Sequence, residues 1–108
     1  MREIYVYMND CRAGKLVEQQ PGKGYTFQYD EEYLKSVNPS ISVTLPKRKE
    51  VYESDALFPF FTNMLPEGAN RSVICRSLRI DENDFFGLLA AMAEKDFIGA
   101  VNVKTAER

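Results

Sequence analysis

Residues 57 to 68 read LFPFFTNMLPEG, and the fold turns on how Leu57 to Gly68 is understood. Leu57, Phe60, Phe61, Met64 and Leu65 fall on one face of a helix, the i, i+3, i+4, i+7 spacing of a core-facing stripe. Pro59 is tolerable only in the first turn, where its missing N–H costs nothing. Leu65-Pro66-Glu67-Gly68 then stops the helix. Upstream the apolar period is two, and here it becomes 3.6.

Working toward the N-terminus, Ile4 to Met8 alternate and are rich in β-formers, which predicts a strand. Asn9 to Gly14 is a turn, with a return strand over Lys15 to Gln19. Pro21-Gly22-Lys23-Gly24 is a second turn. Gly22 and Gly24 do not make a phosphate loop, because a third glycine and a following helix are missing. Tyr25, Phe27 and Tyr29 line one face of a third strand. Asp30 is placed to cap a short helix over Glu31 to Lys35. Ile41, Val43 and Leu45 alternate with Ser42 and Thr44, predicting a fourth strand that Pro46 ends. Lys47-Arg48-Lys49 is a short basic patch without stacking aromatics, expected to be a solvated loop.

Working toward the C-terminus, Val73, Ile74 and Leu78 sit at helical spacing. Asp81 is the expected N-cap of a further helix, with Glu82 and Asp84 in its first turn and Ile80 stapled against Phe85. Phe85, Leu88, Leu89 and Met92 form its core stripe. After Glu94-Lys95-Asp96 the period returns to two, with Val101 and Val103 in a last strand. The expectation is a single α+β domain over 1–108: a curled antiparallel sheet of about five strands with helices inserted before the last strand.

Composition narrows function. The chain has 108 residues, 44% of them hydrophobic, and Lys and Arg number 14 against 16 Asp and Glu, for a net charge of −2. A chain this size buries roughly 65% of its unfolded surface, enough for one core. The charge balance argues against direct nucleic-acid binding, which needs a basic patch. The longest uncharged apolar-rich run, 56 to 66, is far short of the roughly 20 residues of a membrane span. Met1-Arg2-Glu3 leads at once into alternation, so no secretory signal and a cytoplasmic location are expected. Cys11 and Cys75 fit no metal or redox spacing and read as reduced thiols. The chain contains no His. That excludes Ser-His, Cys-His and His-based zinc chemistry, and no catalytic, cofactor or metal residue is expected.

The series ISVTLP, ALFPFFTNMLPEGANR and DFFGLLAAMAEKDFIGAV resembles the N-terminal domain of HipA-type toxin kinases. The marks are Leu45-Pro46, Phe60-Phe61, Leu65-Pro66-Glu67-Gly68, Asp96 and Gly99-Ala100-Val101, spread over Tyr5 to Val103. The resemblance implies a non-catalytic domain, since the family's nucleotide loop, catalytic Asp and metal ligands lie downstream of it. A free-standing copy is similar to HipS, the small antitoxin of three-gene HipBST systems, and the run from Met1 to Arg108 is expected to be such a product. The alternative is the N-terminal domain of an intact HipA-like kinase. The resemblance implies a HipT-like Ser/Thr kinase as partner, with a HipB-like DNA-binding protein able to join a ternary complex. Inhibition by steric block or by conformational capture stays open. Met64, Pro66, Glu67, Gly68, Asn70 and Arg71 are the candidate kinase-contact residues, with a plain helix–turn–helix joint as the competing reading.

Overall fold

Alternation over the first thirty residues becomes three long antiparallel strands: β1 (Arg2–Met8), β2 (Cys11–Gln20) and β3 (Lys23–Tyr29). A computed structural model describes residues 1–65, 68–92 and 101–105 of the chain, with Val103 the one described side chain in the last segment. The order continues α1 (Glu31–Lys35), β4 (Tyr52–Ser54), α2 (Pro59–Thr62), α3 (Gly68–Leu78), α4 (Phe85–Ala91) and β5 (Val101–Thr105). The five-stranded sheet runs β4-β3-β2-β1-β5, so the last strand returns to close beside the first. Val6 pairs with Val103, which brings the C-terminal strand across the whole insertion of three helices.

Turn chemistry sets the register. Asn9 and Asp10 both take positive φ, 50° and 69°, and join β1 to β2 in a two-residue turn whose twist matches the strands. Pro21-Gly22 joins β2 to β3, with Gly22 at φ 74° where the second turn residue must be left-handed. Val6 opposes Gly14 but Tyr7 opposes Arg12, leaving Ala13 as the extra residue of a bulge. Gly14 has no room for a side chain, because a Cβ there would lie 2.3 Å from the Gln28 carbonyl oxygen.

The period-2 positions make the core. Ile4, Val6, Leu16 and Phe27 are all at most 1% exposed, and the helices cover them with Phe61, Phe86, Leu88 and Leu89. Phe27 meets Tyr29 edge-on at 5.0 Å and Phe61 at 5.9 Å between ring centres. Each fully buried side chain of this kind contributes about 1.5–3 kcal/mol.

Several expectations need correction. Residues 41–45 are not a strand. Ser42 and Leu45 form an isolated bridge closing a turn. Ile41 and Leu45 are buried as alternation implies, but Val43 is 96% exposed. The Ser42 hydroxyl accepts from the Thr44 N–H and bonds the Thr44 hydroxyl, so side chains satisfy backbone groups that a ladder would have used. The ladder resumes at β4, three residues with no apolar pattern to announce them. The second strand is also longer than read, starting at Cys11. Asp84, not Asp81, caps α4, accepting from the Gly87 N–H at 3.0 Å. Asp81 instead bonds the Asn83 N–H at 2.7 Å in a turn before the helix. In α3 only Cys75 is fully buried, while Val73 is 61% exposed. The Asp30 side chain caps nothing; it pairs with Arg12 at 2.7 Å. Glu94-Lys95-Asp96 and Gly99-Ala100 lie outside the described residues.

Candidate functional site

The helix that opened the sequence reading is real but brief. Pro59 sits at its first position, and Phe61 is completely buried between the Phe27, Phe58 and Phe60 rings. The chain then tightens: Met64 and Leu65 donate to the carbonyls of Phe61 and Thr62, both at 3.1 Å. Leu65 is buried and Met64 is half-buried against the core edge. Pro66 and Glu67 of the candidate set lie outside the described residues. Gly68 opens α3 at φ 59°, the left-handed region that glycine adopts without strain. Ala69 and Asn70 follow it, exposed on the first turn of α3.

Arg71 is placed differently from the others. Its guanidinium lies 5.1 Å over the Phe85 ring, so it ties α3 to α4 as well as reaching the surface. Cys75 anchors the middle of α3, and Ile80 donates to the Cys75 carbonyl at 2.9 Å as the chain reverses through Arg79 at φ 59°. The Ser72 hydroxyl holds Glu82 at 3.0 Å across the same corner. Of the sequence candidates, Gly68 and Asn70 lie on a short exposed ridge at the start of α3 that leads into the Arg71–Phe85 contact, and Met64 is half-buried against the core.

A second constellation holds α4, and no sequence spacing announces it. Arg2 donates from Nε to Glu18 at 2.7 Å and from both terminal nitrogens to Asp84, at 2.8 and 3.3 Å. Glu18 is 1% exposed and also accepts from the Tyr25 hydroxyl at 2.8 Å and the Gly22 N–H at 3.0 Å. The Arg2 guanidinium stacks 5.1 Å over Phe86. Hydrogen bonding from Arg2 holds the Asp84 carboxyl below the ordinary carboxylate range, with the Gly87 N–H adding to it. Burial, then the bond to Glu18, pushes the Tyr25 hydroxyl up to about 12. Asp84 keeps Arg2 protonated still more firmly than usual. These groups are locked in one charge state at neutral pH, which suits a clamp and not a proton-transfer centre. The sequence reading placed Asp84 in the first turn of a helix capped by Asp81, and nothing in it pointed to the meeting of Asp84 with Arg2 and Glu18.

The basic patch is also spoken for internally. Lys47 donates to the Ser36 and Asn38 carbonyls, both at 2.9 Å, and Arg48 lies 3.7 Å over Tyr52. The expectation that no aromatic stacks on this patch is thereby corrected. Among the described residues, no group of three or more Cys, Asp or Glu side chains converges to hold a metal ion. No helix of the described residues is long and apolar enough to cross a membrane.

A family model described as the HipA N-terminal domain matches residues 4–104. The chain belongs to the HipA N-terminal domain family. A solved structure of the N-terminal domain of HipA toxin superposes with a TM-score of 0.75 at 26% identity, covering 100% of this chain and 95% of that one. An uncharacterised protein of Haemophilus influenzae is 32% identical over 82 residues, 76% of this chain and 74% of its own. A protein of Sinorhizobium fredii named "Putative kinase Y4mE" is 29% identical over 104 residues, 95% of this chain. This chain spans only 24% of that kinase's length. The HipA N-terminal domain is a non-catalytic domain, and membership of its family supports a HipA-related role for this chain.

Proposed function

We propose that this HipA N-terminal domain is an antitoxin-type interaction protein, resembling HipS, that binds and neutralises a HipT-like Ser/Thr kinase toxin without chemistry of its own. The observation that carries the reading is the size of the Haemophilus relative. The same 82 residues make 76% of this chain and 74% of that one, so a domain of this family occurs there in a chain of nearly this length. A HipA-type domain standing apart from a kinase body keeps whatever surface it uses against one. The ridge from Gly68 to Asn70, together with Met64, Pro66, Glu67 and Arg71 of the same stretch of sequence, is the proposed kinase contact. Arg and Met suit such a surface, one as a charged anchor and the other as an adaptable apolar group. Such a domain shifts its kinase toward whichever arrangement it binds better, by the difference in affinity and no more. A HipB-like DNA-binding protein completes the complex, and the location is cytoplasmic.

The match to 24% of the Sinorhizobium kinase supports a second reading, the N-terminal domain of an intact HipA-like kinase. The test for the first is co-expression with the kinase encoded beside it. Co-purification, with relief of the kinase's growth arrest, is the expected result. Ala69→Arg combined with Asn70→Glu, both at exposed positions, should leave the melting temperature unchanged and abolish both effects. Full protection by the double variant removes the ridge from the interface, and absence of any complex with the parent chain removes the antitoxin reading.

A further inference from the structure

Gly87 stands in the first turn of α4, although glycine is a poor helix former. Its φ lies outside the left-handed region, so the backbone does not require glycine there. The surroundings do. A Cβ at this position would overlap Asp84 Oδ2 and lie 3.0 Å from Arg2 Nη1. Helix propensity gives way to the space that the Arg2–Asp84 pair occupies.

The same turn of α4 is reached by a second guanidinium. Arg71 of α3 lies 5.1 Å over Phe85, and Arg2 lies 5.1 Å over the next ring, Phe86. The Ser72 hydroxyl holds Glu82, which ties α3 to the corner ahead of α4. Glu18, Arg2, Asp84, Phe85 and Arg71 therefore form a run of contacts from the buried side of β2 to the first turn of α3. The exposed ridge Gly68–Asn70 lies immediately before Arg71 in that turn. Little else fixes α3. Cys75 is its one fully buried residue, with Ile74 partly buried. An element with few buried apolar contacts opens locally at small cost, so the contacts at its first turn decide how it is presented. A contact surface held in one arrangement before binding loses less affinity to ordering.

We infer that Arg2, Asp84 and Gly87 are positioning residues for the kinase contact: the clamp fixes the first turn of α4 and, through Phe85 and Arg71, the ridge at the start of α3. This rests on the kinase-partner reading and makes β1, 82 residues from Asp84 along the chain, part of what presents the ridge. A ridge competent only in the clamped arrangement loses apparent affinity in proportion to the competent fraction.

The experiment has two arms, both on the full chain. The first measures amide exchange without a partner, at Ile80, whose N–H bonds the Cys75 carbonyl at the end of α3. Asp84→Asn keeps an acceptor for the Gly87 N–H but loses the charge pair, and Gly87→Ala pushes the carboxylate aside while improving helix propensity. Both should speed Ile80 exchange by about tenfold, the change expected when the opened arrangement becomes about ten times more populated. Ile41→Ala, which empties a buried site in the α1–β4 connection, should leave it within about twofold. The second arm measures affinity for the kinase encoded beside this chain, by calorimetry well below every melting temperature. Asp84→Asn and Gly87→Ala should weaken binding by about tenfold, as when the competent arrangement falls to about a tenth of the population. Ile41→Ala should bind within about twofold of the parent although it melts lower. If Ile80 exchange is unchanged in the clamp variants, the clamp does not hold α3, and any loss of affinity makes these residues direct contacts; the inference is then overturned. Faster exchange with affinity within about twofold of the parent overturns it too, since the ridge would not depend on the clamp. If the parent chain binds no kinase, the kinase reading fails and this inference with it, whatever the exchange arm shows.

Discussion

Replacing Arg2 by Ala tests how the helical layer is fastened to the sheet. Arg2 joins the buried Glu18 on β2 to Asp84, the cap of α4. The two halves of the clamp are unequal. The Glu18 side chain is 2% exposed, whereas those of Asp84 and Arg2 are 33% and 41% exposed. A hydrogen bond to a charged group contributes about 1.5–3 kcal/mol, and the penalty rises when the remaining carboxylate is buried. Glu18 keeps two of its donors, Tyr25 and Gly22, so the Glu18 half is set at about 2–3 kcal/mol. The more exposed Asp84 half is screened and adds about 0.5–1 kcal/mol. The sum, about 3 kcal/mol, is a large part of the roughly 5–15 kcal/mol that stabilises an ordinary domain. Urea unfolding followed by far-UV circular dichroism should show it as a lower midpoint with unchanged slope. The melting temperature should fall by roughly 12–24 °C for a domain of this length. Glu18→Gln in the Arg2→Ala background should recover part of the loss, because it removes the uncompensated buried charge. A loss below about 0.5 kcal/mol, the level of an ordinary surface substitution, would refute the clamp.

Other outcomes follow from the same contacts. Because the Asp84 carboxyl titrates lower in the folded chain than in the unfolded one, its stabilisation is present above the ordinary carboxylate pKa and fades as pH falls below about 4. The raised Tyr25 hydroxyl works the other way: its contribution is complete below about pH 10 and is lost as pH climbs toward about 12, a decline that Tyr25→Phe should flatten in the same pH-dependent melts. Leu89→Ala empties a site with no exposure and should cost about 2–5 kcal/mol by urea titration. Tyr29→Phe removes the hydroxyl that joins Ile41 to Leu45; it should cost about 1 kcal/mol and speed amide exchange at Ile41 more than at Phe27.

Where sequence reasoning succeeded, the physics was local. Alternation over Ile4–Met8 and Tyr25–Tyr29 is a property of a strand half-buried in any sheet, and 3.6 spacing over Leu57–Leu65 found the core-facing side chains there, although only Pro59–Thr62 is helical. Asn9-Asp10 and Pro21-Gly22 are turns whatever surrounds them. The marks of the HipA N-terminal domain family were legible for a related reason: Pro, Gly and aromatic residues at fixed intervals record backbone geometry directly. Alternation misled at Ile41–Leu45, where Ile41 and Leu45 do face inward but the turn between them turns Val43 to water. Short polar β4 offered no period at all.

Only the tertiary structure decided the rest, because it depends on residues distant along the chain. Arg2 meets Asp84 once β1 and the start of α4 are brought together. Cys75, not Val73, faces the core because α3 is set down on one particular edge. Lys47 looked like a solvated cation until the loop folded back over Ser36 and Asn38. Composition determined that the chain holds one core and no histidine chemistry; which charges are buried, and which apolar side chains are left in water, was determined by contacts that no local pattern encodes.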